Sequence, residues 1–131
     1  MVIKVKKITL LIIAFVLFLV GCSSNGTNST RSYENISTDE AQSMIAKKEV
    51  DIIDVRTPEE FASGHVPEAV NLPLQDLESR VFTLDKNKSY LIVCRSGNRS
   101  GQASEILVSK GFSHIYNMEG GMNQWKGEVA N

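Results

Sequence analysis

The chain of 131 residues carries two cysteines, and in each case the neighbouring residues give the sulfur something to do. Cys94 ends the apolar run Ser89-Tyr-Leu-Ile-Val-Cys94 and is followed by Arg95-Ser96-Gly97-Asn98-Arg99-Ser100. A lone cysteine closing an apolar run is by default an inert core residue. The residues after it change that reading. Small and flexible positions between a strand and a helix start let successive backbone N–H groups turn inward as an anion-binding nest, towards which the positive end of the helix also points. Those donors, with Arg95 and Arg99 near by, favour thiolate over thiol and lower the pKa from its free value of about 8.5. The same groups would stabilise a terminal persulfide anion. The chemistry expected of Cys94 is therefore nucleophilic, through a covalent intermediate. Arg95, Ser96, Gly97, Asn98, Arg99 and Ser100 are the candidate substrate-binding residues. Within that set Arg99 either orients the loop or contacts an anion, and Arg95 either contacts the anion or points to solvent.

Cys22 belongs to a different context. Ile8 to Val20 reads ITLLIIAFVLFLV, thirteen residues without a charge, directly after Lys4, Lys6 and Lys7. This is a basic segment followed by an apolar one, as in an export signal. In a helix it would span about 20 Å, short of the roughly 30 Å of a bilayer's hydrocarbon core. Leu19-Val20-Gly21-Cys22 looks like a bacterial lipobox, in which a lipid is joined to the cysteine thiol and cleavage occurs just before it. The organisation expected is a lipoprotein signal peptide at 1–21, a lipidated Cys22 and polar tether at 22–32, and a globular domain at 33–131. The alternative is an uncleaved signal anchor. Either way the domain faces outward from the cell membrane, lipid-anchored on its extracytoplasmic face in the preferred reading.

Loss of residues 1–21 removes three lysines and leaves 11 basic against 15 acidic side chains, a formal charge of −4. That balance has no nucleic-acid footprint. Lipidation of Cys22 would leave Cys94 as the only free thiol, so no internal disulfide is expected. His65 and His114 lack metal-ligand spacing with each other or with Cys94. No metal and no cofactor are expected, and a monomer is.

The elements that must position Cys94 alternate between strand-like and helix-like segments, the pattern of an α/β fold with a parallel sheet. Ser37-Thr38-Asp39-Glu40 is a capping box that predicts a helix over about 38–47. Asp51 to Val55 reads as a buried strand. Thr57-Pro58-Glu59-Glu60 starts a second helix, with Thr57 as cap, Pro58 in the first turn and Glu60 closing the box. Gly64 ends that helix, 65–69 is a loop, a brief strand covers 70–72 and Pro73 stops it. Leu74 to Phe82 has the spacing of a short amphipathic helix, and 85–88 is a turn. Residues 89–94 form the most apolar strand, suited to the centre of a sheet. A helix over 100–110 ends at Gly111, 112–118 is a last strand, and 120–125 turns into a closing helix. Trp125 with Met118, Met122 and Phe112 is expected to close the core. In open parallel α/β sheets, ligands bind outside the carboxyl ends of the strands, where Cys94 falls.

Four segments in order resemble the rhodanese-like domains. They are Ile52-Ile-Asp-Val-Arg-Thr-Pro-Glu-Glu-Phe61, Gly64-His-Val-Pro-Glu-Ala-Val-Asn-Leu-Pro73, Cys94-Arg-Ser-Gly-Asn-Arg-Ser100, and Gly120-Gly-Met122 to Trp125. The resemblance covers about residues 33 to 127. It implies a five-stranded parallel sheet with helices on both faces, and a two-step transfer in which Cys94 takes the sulfane sulfur of a small donor anion such as thiosulfate and releases sulfite. A thiol or cyanide then accepts the outer sulfur from the Cys94 persulfide. Asp54 and Arg56 are implied to be a structural hydrogen-bonding pair near the site. Two rivals stay open. One is a sulfur carrier or binding module that serves a partner protein without turnover. The other is a phosphatase or arsenate reductase. The related dual-specificity phosphatases have a loop one residue longer than the four residues that separate Cys94 from Arg99, and a dithiol reductase needs a resolving cysteine.

Overall fold

The structure, a computed structural model, describes residues 32–131. The expected signal peptide, Cys22 and the tether as far as Arg31 lie outside the described residues. Among those that are described, no helix is long and apolar enough to cross a membrane.

Short polar signals set where the helices begin. Ser37 Oγ accepts the Glu40 N–H at 3.2 Å while the Glu40 carboxylate accepts the Ser37 N–H at 2.8 Å. This capping box opens α1 (Thr38–Ala46) just after the short strand β1 (Glu34–Ile36). A side-chain cap of this kind contributes about 1 kcal/mol. Thr57 and Glu60 repeat the motif at α2 (Pro58–Ala62), with proline in the first turn, where its missing N–H costs no helical bond. Then follow α3 (Leu74–Arg80), α4 (Asn98–Ser109) and α5 (Gly121–Gln124), interleaved with β2 (Asp51–Asp54), β3 (Val70–Asn71), β4 (Tyr90–Val93) and β5 (Ile115–Met118).

The five strands form one sheet in the order β1-β5-β4-β2-β3, and every neighbouring pair is parallel. All four residues of β4 are buried, which is why its sequence does not alternate: a central parallel strand is covered on both faces. Ile92 and Cys94 pack with Leu77 of α3 and Ala103 and Leu107 of α4. Leu91 and Val93 pack on the other face with Ala41 of α1 and Met118, against which Met122 and Trp125 lean.

Three expectations need correction. Phe112 does not join Met118, Met122 and Trp125. It lies on the opposite face of the sheet and meets Tyr90 edge-on, with ring centroids 6.0 Å apart. The reason is that β5 begins at Ile115 rather than 112, so Phe112 belongs to the turn after Gly111. Secondly, α4 begins at Asn98, two residues before Ser100, because Gly97 with φ +95° makes the turn into it. Thirdly, no strand was read before residue 38, yet β1 pairs with β5 through Glu34–Ile36. Only Ile36 of its three residues is buried, too little to give a periodic signal.

Candidate active site

β4 stops at Val93, and the next residue is Cys94, 1% exposed at the carboxyl end of the central strand. From here the chain folds back over its own sulfur. The Gly97 N–H donates to Cys94 Sγ at 3.1 Å, and the Ser100 hydroxyl lies 3.2 Å from the same atom. Gly97 has φ +95°, in the left-handed region that a side chain disfavours, and that backbone turns its N–H inward. Ser100 is fully buried, and its carbonyl accepts the Ser104 hydroxyl at 2.7 Å. Burial pushes the Cys94 thiol up. The Ser100 hydroxyl and the N–H groups of Ser100, Ser96 and Gly97 pull it down by more, so it rests below the ordinary thiol value.

The loop is also held from behind. Met122 N–H donates to the Cys94 carbonyl and Asn123 N–H to the Arg95 carbonyl, both at 2.9 Å. Gly121, at φ +53°, comes so close that a Cβ there would overlap the Cys94 carbonyl oxygen and the Arg95 carbonyl group. The glycine pair at 120–121 thus lets α5 start directly against the loop that follows Cys94. Asn117, 5% exposed on β5, donates to Asn35 Oδ1 at 2.9 Å and to the Gly97 carbonyl at 3.4 Å.

The candidate residues separate into three groups. Gly97 and Ser100 meet the sulfur, and Ser96 contributes its N–H. Arg95 and Asn98 are exposed, and Asn98 accepts a bond from Gln102 at 3.2 Å. Arg99 turns to Glu60, its two terminal nitrogens meeting the two carboxylate oxygens at 2.7 and 2.8 Å. The Arg99 bond is the main cause that draws Glu60 down to about 2. Asp54 and Arg56 lie together at the end of β2: Arg56 donates to the Asp54 carboxylate at 2.7 and 3.0 Å and to the Gly64 carbonyl at 2.8 Å. Asn71 bonds both of their carbonyls at 3.0 Å. The pair fastens the end of β2 to the loop after α2. His65 stacks on Phe61 with centroids 3.7 Å apart, a packing contact.

Glu60 and Asn117 were not among the candidates. Glu60 was accounted for as a helix cap, and Asn117 sat in a segment read only as the last strand. Cleft size is no guide to the site. A cleft of ≈ 620 Å³ lies at the other end of the sheet, between Lys48, Asp51, Arg80 and Tyr90, and no cysteine lines it. The convergent donors around Cys94 mark the chemistry instead.

A model of the rhodanese-like domain matches residues 37–128. The chain belongs to that family. The putative sulfurtransferase YtwF of Bacillus subtilis is 43% identical to this rhodanese-like chain over 88 residues, covering 67% of it and 84% of YtwF. Thiosulfate sulfurtransferase PspE of Escherichia coli is 43% identical over 70 residues, 52% of this chain and 67% of PspE. The crystal structure of a rhodanese-like domain protein from Staphylococcus aureus superposes with TM-score 0.69 at 37% identity, covering 74% of this chain and 96% of that one. The five-stranded parallel α/β architecture is thus the rhodanese-like fold, and the relatives support sulfur transfer as the general function.

Proposed function

We propose that the protein is a sulfurtransferase that works through a persulfide on Cys94. The observation that carries this reading is the pair of donors on Cys94 Sγ, the Gly97 N–H at 3.1 Å and the Ser100 hydroxyl at 3.2 Å. In the first step the Cys94 thiolate attacks the sulfane sulfur of a small donor anion such as thiosulfate. A new S–S bond forms, the donor's S–S bond breaks, and its electron pair leaves with sulfite. The persulfide's terminal sulfur is anionic, and the cradle that lowers the thiol pKa also suits that charge. In the second step a thiol or cyanide attacks the outer sulfur and the electron pair returns to Cys94. No proton or electron is needed from outside, and the kinetics are ping-pong.

The names of the relatives point the same way: besides YtwF and PspE, a protein called thiosulfate sulfurtransferase GlpE from Pseudomonas syringae is 33% identical over 94 residues. Lipidation at Cys22 and an outward-facing, membrane-anchored domain complete the proposal, supported by the sequence before residue 32 alone.

The test is thiocyanate formation from thiosulfate and cyanide by the chain and by Cys94→Ala, with intact mass measured after donor alone. Addition of one sulfur atom that depends on Cys94, together with turnover, is the expected result. Addition without turnover would identify a sulfur carrier, and no addition would overturn the proposal.

A further inference from the structure

The two capping boxes of this fold, Ser37 with Glu40 and Thr57 with Glu60, share a pattern but not a geometry. In α1 the Glu40 carboxylate sits on its cap, 2.8 Å from the Ser37 N–H and 2.9 Å from its hydroxyl. In α2 the equivalent bonds from Thr57 to Glu60 lengthen to 3.5 and 3.3 Å. Glu60 is drawn off the helix end towards Arg99, with which it makes its short bonds at 2.7 and 2.8 Å. Capping alone does not account for this carboxylate.

The fork crosses from α2 to the first turn of α4, five positions beyond the nucleophile, and its side chains are 33% and 32% exposed, so it lies at the surface beside the site. The bonds from Glu60 raise the Arg99 pKa most, and the charge on Cys94 adds to them. An arginine alone at this position would draw multiply charged anions to the sulfur. Paired end-on with a carboxylate, it presents no net charge. What is left for an incoming anion is the N–H cradle and the exposed Arg95.

We infer that Glu60 sets the charge selectivity of the Cys94 site. By neutralising Arg99 it matches the site to singly charged reactants over doubly charged ones. Resting on the sulfurtransferase reading, the donor class that follows is a monoanionic sulfane compound, a thiosulfonate or the persulfide of a small thiol, in preference to the thiosulfate dianion. With a thiosulfonate the Cys94 thiolate bonds to the outer sulfur, the S–S bond breaks and the pair leaves on a sulfinate, so charge and electrons balance.

Glu60→Gln keeps a residue that serves in a capping box and still accepts a bond from Arg99, but removes the negative charge. Glu60→Asp keeps the charge and shortens the arm. The purified full-length chain and both variants are alkylated at low ionic strength with iodoacetate and with iodoacetamide, the product being read on the Cys94 peptide by mass spectrometry. Both reagents meet the same thiolate, so the ratio of their rates cancels changes in thiol pKa or folded fraction. The ratio of anionic to neutral reagent rises about three- to tenfold in Glu60→Gln and stays within about twofold of the parent in Glu60→Asp. Persulfide formation from thiosulfate rises relative to methanethiosulfonate in the same variant. An unchanged alkylation ratio in Glu60→Gln, or an equal rise in Glu60→Asp, would overturn the inference. If neither donor adds sulfur to the parent chain while the alkylation ratio still rises, the sulfurtransferase reading falls and the charge selectivity stands.

Discussion

Ser100 Oγ lies 3.2 Å from Cys94 Sγ across the turn of the loop, with both residues buried. The hydroxyl is fixed there because the Ser100 backbone already belongs to α4 and its carbonyl holds the Ser104 hydroxyl. A side chain on a rigid helix thus completes a cradle otherwise made of backbone.

Ser100→Ala removes a hydrogen bond made to a charged group, a class worth about 1.5–3 kcal/mol. The expected outcome is a higher Cys94 pKa and about a tenfold slower reaction with iodoacetamide at neutral pH. A rate profile against pH checks it. In the parent chain the rate rises with pH and levels off at a midpoint below that of an ordinary thiol, whereas in Ser100→Ala the midpoint moves up.

Gly121→Ala places a methyl group against the carbonyls of Cys94 and Arg95 at a φ of +53°. Moving the loop misaligns the donors on the sulfur, and the Cys94 alkylation rate falls at least about tenfold. Circular dichroism shows a chain that is still folded, since the overlap is confined to one turn. A rate equal to that of the parent would show that the loop is not held from this side.

Asp54→Ala leaves the Arg56 guanidinium buried without its carboxylate, although it retains the Gly64 carbonyl. Breaking a buried pair in this way costs about 3–5 kcal/mol, read as a lower urea midpoint. Replacing both residues by apolar ones of similar size costs less than the single change, which a double-mutant comparison measures.

Glu60 gives the stability a signature in acid. Its folded-state pKa, about 2, lies below the ordinary value of 4.5. The unfolded chain therefore binds the proton first, and the contribution of Glu60 is complete above 4.5 and is lost as pH falls towards 2. The melting temperature of the parent chain drops through that window more steeply than that of Glu60→Gln. Parallel curves would show that the ion pair contributes nothing to folding.

The positions of the helices and the central strand were legible because local chemistry sets them. Ser37 with Glu40, Thr57 with Glu60, and the unbroken apolar run of β4 need no knowledge of the rest of the chain. Cys94 and its loop were legible for the same reason. What escaped depends on partners distant in sequence. β1 exists because β5 offers it an edge. Phe112 changes faces because Gly111, at φ +98°, swings the chain before β5 begins. Arg99 was expected to orient the loop or meet an anion, and only the approach of α2 shows that Glu60 takes it. Asn117 is legible as a loop anchor only once β5 lies beside Gly97.

The bonds from Met122 and Asn123 to the carbonyls of Cys94 and Arg95 also give the loop a place in time. A ribosome delivers Cys94 before the segment that pins its loop, so in a nascent chain that loop is fastened from behind only when residues 120–123 dock against it. A chain cut short before Gly120 would keep every residue from Cys94 to Ser100 and lose the bonds that hold their loop from behind.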